Sequence, residues 1–256
     1  MKLSICMTYY NRRELLINTL ISIQKFVKNF DVEILIVDDA SDEQHKINDL
    51  PEKFQSLNII IHRFEPEEKW WSLQIPPHNK LIAMATGDII IQQGAECYHV
   101  NDIISDAILN TKDNDYRVYG CYALTEEDTK NINNLNYHIK INNDFNVGTI
   151  FELGGWYQHS IYSDRHYNFC TAITKKDLLE LGGFDERFSK GIAFGDDEFI
   201  TRIKRKKMNV ISVDDFFVYH QFHELTKHRS DDPNLELFLN ILKNEDKIKV
   251  HNSFLN

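Results

Sequence analysis

Four short aliphatic runs crowd the first hundred residues: "LSICM" from Leu3, "ILIV" from Ile34, "NIII" from Asn58 and "DIII" from Asp88. Each is short and β-rich, so each reads as a strand. Helical spacing fills the gaps, first in Leu15, Leu16, Thr19, Leu20, Ile23 and Phe26, then in "PPHNKLIAMA" from Pro76 to Ala85. Asn11 and Glu14 are spaced as a capping box for the first helix, and "TGD" closes the second. Unbroken apolar runs alternating with helices mark parallel strands covered on both faces, so the expected fold is α/β, a Rossmann-like mixed sheet between helical layers.

The second half continues the pattern less regularly. A strand is expected over "RVYGCYAL", 117–124, followed by a polar stretch from Glu126 to Asn146 with seven asparagines after Lys130. Such a stretch inside a compact domain is read as a functional loop or a surface insertion. Next come a strand in "NFCTAIT", a helix in "KKDLLELGG" stopped by Gly182 and Gly183, and a helix opening at Asp196 with Phe199, Ile200 and Ile203 inward. The strand "NVISV" and the histidine-rich "YHQFHELTKH" end the series. No repeat and no linker divides the chain, so residues 1–256 are expected to form a single domain.

Composition removes several classes of function. A formal net charge of −10 and only short Lys/Arg runs argue against nucleic acid as a partner. With 42% hydrophobic and 27% charged residues the balance is that of a globular protein. No apolar window is long enough for an integral membrane segment and the first residues lack a secretory pattern, so a cytoplasmic location is expected. Cys6, Cys97, Cys121 and Cys170 form no close pair; they read as buried free thiols rather than a zinc site.

Three acidic clusters terminate core elements: Asp38 with Asp39, Glu96 alone, and Asp196, Asp197 and Glu198 together. In open α/β sheets ligands bind beyond the carboxyl ends of the strands, which groups the first two in one crevice. Singly, "VDDAS" reads equally well as a turn, and the third cluster as acids matched to a helix dipole.

In order, "TYYNR", "VDDAS", "PPHNKLIAMATGDIIIQQGAECYH", "GGFDERF" and "FGDDEF" resemble the family 2 glycosyltransferases of the GT-A fold, and more narrowly a galactosyltransferase-like branch found in polysaccharide synthesis. The resemblance covers residues 3 to 223. It implies an inverting enzyme that moves a sugar from a nucleotide sugar, UDP-linked in first place, to a hydroxyl of a glycan or glycoconjugate acceptor. It also implies a nucleotide-sugar half over 1–115 and an acceptor-binding, catalytic half over 116–256. Thr8, Tyr9, Asn11, Arg12, Asp38, Asp39 and Gln93 fall at nucleotide-sugar positions, with Asp39 accepting from base or ribose and Asp38 supporting the loop. Asp197 falls at the catalytic base, Asp196 on an acceptor hydroxyl and Glu198 on the acceptor side.

Glycosyl transfer also needs stabilisation of the departing diphosphate. The family assigns it to a divalent ion, Mn2+ or Mg2+, on an acid-x-acid motif, whose positions here hold Gly94 and Glu96. The first acid is missing, and the resemblance also implies a histidine late in the chain near this metal: His220 is preferred, then His223, with His99 below both. Imidazole favours manganese. Trp156, after Gly154 and Gly155, is expected to stack on an acceptor sugar; the adjacent Trp70 and Trp71 read as one surface and one core ring. The lost acid motivates an alternative, a decayed module that binds nucleotide or carbohydrate without transfer. A sugar nucleotidyltransferase would want a glycine-rich phosphate loop, which "MTYYNRRE" lacks.

Overall fold

The computed structural model describes residues 1–144, 150–224 and 232–255. In chain order these form β1 (Lys2–Tyr9), α1 (Arg13–Gln24), β2 (Asp31–Asp39), α2 (Leu50–Lys53), β3 (Asn58–Phe64), α3 (Ile75–Met84), β4 (Ile89–Gly94), β5 (Cys97–His99) and α4 (Ile103–Asn110). They continue with β6 (Asp115–Ala123), α5 (Glu126–Asn131), α6 (Ile150–Leu153), β7 (Gly155–Gln158), β8 (Cys170–Thr174), α7 (Lys175–Leu181), α8 (Gly195–Arg205), β9 (Asn209–His220) and α9 (Pro233–Asn244).

One sheet runs β3-β2-β1-β4-β8-β6-β9-β5, with β7 added on β6. The four aliphatic runs form one parallel set: β1 pairs with β2 and β4, and β2 with β3. β8 enters antiparallel between β4 and β6, which makes the sheet mixed, as expected. Alternate residues feed opposite layers because strand side chains have a period of two. Leu3, Ile5, Met7 and Tyr9 of β1 join Ile34 and Ile36 under α1 and α4. On the other face Cys6, Leu35 and Val37 pack with Leu81 of α3, Leu178 of α7 and Phe199 of α8. All four cysteines are buried and free.

Two ends differ from the sequence reading. Asn11 does not cap α1: the N-cap is Arg12 and makes no side-chain cap bond, while Asn11 sits at φ 52 and exchanges hydrogen bonds with Asp42. β9 runs well past "NVISV", to His220, pairing in parallel with β6 across a register shift at Gly120. A Cβ at that glycine would lie 2.9 Å from the Phe217 Cβ, so the shift needs a residue without one. α7 ends as expected, with Gly182 at φ 76.

The polar stretch after Thr125 begins as a short helix, α5, on a capping box between Thr125 and Asp128. Phe145 and Asn146 of that stretch, and Leu225–His228 of the histidine-rich segment, lie outside the described residues. Among the described residues no helix is long and apolar enough to cross a membrane.

Candidate active site

A cavity of about 870 Å³ opens at the carboxyl ends of β1, β2 and β4. Thr8 comes from β1, Asp39 from the end of β2, Glu96 from the β4–β5 turn, Asp196 and Asp197 from the first turn of α8, and His220 from the end of β9.

On the β2 side, Asp39 is 1% exposed and already well partnered. Its Oδ1 accepts from Trp71 Nε1 at 2.7 Å, and its Oδ2 from Lys69 Nζ at 2.9 Å and Gln74 Nε2 at 3.0 Å. Thr8 Oγ1 donates in turn to Gln74 at 2.9 Å. The Lys69 ammonium lies 4.3 Å from the centroid of the Tyr10 ring, a cation–π contact on the cavity wall.

At the end of β4, one oxygen of Glu96 gathers three cationic or neutral nitrogen groups. Oε1 lies 3.2 Å from the Arg12 guanidinium, 3.4 Å from His220 Nε2 and 3.5 Å from His223 Nε2. Burial works to raise the Glu96 pKa, but the two imidazoles and Arg12 outweigh it and hold the carboxyl well below the usual range. Among the described residues the buried Nε2 of His223 makes no well-formed hydrogen bond, its contact with Glu96 being the long one at 3.5 Å. The register makes this cluster: β5 pairs antiparallel with β9, setting Cys97 against His220. Gln221 then locks it, its backbone N–H and its Nε2 both donating to the Glu96 carbonyl at 3.1 Å. The same amide donates to Leu15 O and Thr19 Oγ1.

At the start of α8, Tyr167 donates its hydroxyl to Asp197 at 2.9 Å, and Asn168 donates to Asp196 at 2.7 Å. Burial raises the Asp196 pKa, the Asn168 bond works against it, and the Asp197 charge adds to the rise. Burial and the Asp197 carboxylate push the Tyr167 hydroxyl up to about 12, so it remains a donor across the physiological range. The cavity lining thus combines a carboxylate pair with a cluster of nitrogen and oxygen atoms suited to hold a cation.

A family model described as "Glycosyltransferase like family 2" matches residues 2–228. The chain belongs to that family. Among solved structures, GalNAc-T7 with UDP, GalNAc and Mn2+ is 13% identical over 94% of this chain and 48% of its own, at a TM-score of 0.65. S. aureus TarS is 16% identical over 87% of this chain and 37% of its own, at 0.58. The mannosyltransferase PcManGT from Pyrobaculum calidifontis, in complex with GDP-Man and Mn2+, is 15% identical over 89% and 58%, at 0.55. Likeness at these identities shows the GT-A fold. The chain spans between 37% and 58% of the length of these three relatives. No curated protein sequence matches it.

Of the residues expected in a family 2 site, Thr8, Arg12, Asp39, Glu96, Trp156, Asp196, Asp197 and His220 do meet at the cavity. Five others lie behind its wall. Tyr9 turns into the core and donates to His45 O at 2.6 Å, and Asn11 is held by Asp42. Asp38 is paired with Arg63 at 2.7 Å and accepts from Ser41 N, supporting the loop as expected rather than touching a ligand. Gln93 is spent on His99 Nε2 at 2.7 Å. Glu198 points into the core and forms a two-bond ion pair with Arg202, both fully buried, so it is not on the acceptor side.

Trp156 borders the cavity but does not offer a face for stacking. Tyr122, Phe217 and Tyr162 cover its ring, and its Nε1 donates to Asn143 at 3.0 Å. Trp70 is exposed and Trp71 buried, as expected, but Trp71 also holds Asp39. Cavity residues missed in the sequence include Tyr10, Lys69, Gln74, Tyr167 and His78, whose pKa burial lowers to about 4. Tyr10 was legible from strand alternation, since Leu3, Ile5, Met7 and Tyr9 share one face. The others had no local signal.

Proposed function

We propose that this chain is an inverting glycosyltransferase that moves a sugar from a nucleotide sugar, UDP-linked in first place, to a hydroxyl of a glycan or glycoconjugate. The observation that carries the reading is one cavity lined both by the Asp196–Asp197 pair and by the Glu96–His220–His223 cluster. Relatives of the same fold carry UDP, UDP-GlcNAc or GDP-Man, which supports a nucleotide-sugar donor. Work in the cytoplasm and the division at residue 115 belong to the same proposal.

In this mechanism Asp197 removes the proton of the acceptor hydroxyl, and Tyr167 holds the carboxylate toward the cavity. The acceptor oxygen forms its bond to the anomeric carbon as the bond from that carbon to the diphosphate breaks, and the nucleoside diphosphate leaves with the electron pair. Asp196 orients the acceptor hydroxyl. Thr8, Asp39 and Gln74 hold the nucleotide end, and Arg12 faces the diphosphate.

The residues present fit a divalent cation. Glu96, His220 and His223 each offer one ligand atom, all within 4.8 Å of one another, and His223 Nε2 has no well-formed hydrogen bond among the described residues. One carboxylate with two imidazoles favours Mn2+ over Mg2+. When bound, the ion supplies positive charge to the leaving diphosphate.

Diphosphate release measured across nucleotide sugars with Mn2+, for the wild type and Asp197→Asn, tests the reading. Release with one donor that Asp197→Asn abolishes, while UDP binding by calorimetry stays unchanged, is the expected result. Retained turnover in the variant would sink the role of Asp197. The empty first motif position at Gly94 favours a second reading, a binding module without transfer, and nucleotide binding with no release from any donor would select it.

A further inference from the structure

The family match ends at residue 228, yet the helix beyond it grips the loop that leads into α8. Phe194, the residue before α8, sits at φ 66 and ψ 1, a left-handed conformation that bulky side chains rarely adopt. Such a conformation persists only where the surroundings over-determine it. Here they do so from the start of α9. Ile192 N donates to Asp232 Oδ2 at 2.8 Å, and Asn234 Nδ2 donates to both Ala193 O and Phe188 O at 2.8 Å. The Phe194 ring stacks on Phe238 of α9 at 5.8 Å. Gly191 is pressed so close that a Cβ there would lie 2.3 Å from Asp232 Oδ1.

The clasp is buried and built: Asn234 is 2% exposed, and Asp232 also caps α9 by accepting from Asn234 N at 2.9 Å. What it holds borders the candidate site: Ile192, Ala193 and Phe194 line the cavity, and Asp196 and Asp197 follow after Gly195. α9 also has anchors outside the clasp. Ile241 is buried against the core, and Arg187 holds Glu245 at 2.8 Å just beyond the helix end.

We propose that Asp232 and Asn234 are positioning residues, which hold the 191–194 segment with Phe194 in its left-handed conformation and so aim Asp197 at the acceptor hydroxyl. The proposal rests on Asp197 being the base. Small displacements of a reacting group are costly, about a hundredfold for roughly 1 Å. With the segment released from Asn234, Phe194 relaxes toward negative φ, and the first turn of α8 moves with it.

The test is turnover, acceptor KM and UDP affinity for Asn234→Ala and Asp232→Ala, with Asp197→Asn in parallel and thermal melts on all three. Turnover reduced at least about tenfold, with UDP affinity within about twofold of the wild type and a cooperative melt retained, is the expected result. Unchanged turnover in both clasp variants overturns the proposal. So does a loss of UDP affinity in proportion to turnover, which would mean general loosening of the fold. Wild-type turnover in Asp197→Asn would instead remove the base on which the proposal rests, whatever the clasp variants do.

Discussion

The side chain of Glu96 folds back over Gly94: a Cβ on that glycine would lie 3.2 Å from both Cδ and Oε1 of the carboxylate. The position where the family's motif would carry its first acid is therefore used as room for the second. Restoring the motif should harm the site. Gly94→Asp is expected to push Glu96 away from His220 and His223 and to weaken Mn2+ binding, read by electron paramagnetic resonance titration. Tighter binding would show that the cluster tolerates a second acid.

The cluster itself predicts which side chains hold the ion. Glu96→Gln and His223→Ala should each lower Mn2+ affinity at least about tenfold, which corresponds to about 1.4 kcal/mol. Calorimetry with Mn2+ alone checks this without any turnover. His99→Ala, by contrast, removes a ring bonded to Gln93 behind the wall and should leave Mn2+ affinity unchanged.

Glu198 supports the fold, by its ion pair with Arg202, whose guanidinium also donates to Leu181 O and Gly183 O. Removing one partner leaves a buried charge uncompensated, so Glu198→Ala should cost about 3–5 kcal/mol in chemical denaturation. Acceptor KM of the folded fraction should not change. A stable variant with a raised KM would return Glu198 to the acceptor side.

Acid stability has a specific contributor far from the cavity. Burial works to raise the Glu33 pKa, but bonds from Lys2, Ser4 and Thr86 bring it down to about 2 from the usual 4.5. The folded state thus holds the charged form more firmly than the unfolded state. Its stabilisation is complete above about pH 4.5 and is lost as pH falls through about 2. Glu33→Gln should flatten the stability profile across that window, and an unchanged slope would exclude the contribution.

The strands and most of the helices could be read from the sequence because their signals are local: aliphatic runs, proline entries, and glycine at the end of α7. Asp39 and Glu96, grouped in one crevice as acids at strand ends, do line one cavity, and Asp196 and Asp197, which only the family resemblance linked to them, line it too. What failed was orientation. Tyr9 and Tyr10 are neighbours on opposite faces, and Asp38 and Asp39 likewise, so choosing between them requires knowing which face of the sheet meets the cavity. Glu198 was misplaced for the helical version of the same reason, lying on the inner face of α8. Lys69, Gln74 and Tyr167 come from loops, where only the folded chain shows what touches what.

The pairing of β5 with β9 has a kinetic meaning. Glu96 and His220 belong to distant parts of the chain, and β5, though it directly follows β4, docks at the far edge of the sheet against a strand made much later. Contacts between distant segments form slowly because chain entropy is lost before they reward it. The two imidazoles should therefore reach Glu96 among the last events of folding. Nascent chains that have not yet supplied β9 carry Glu96 without its histidines, so acquisition of Mn2+ affinity during refolding would time the closure of this edge.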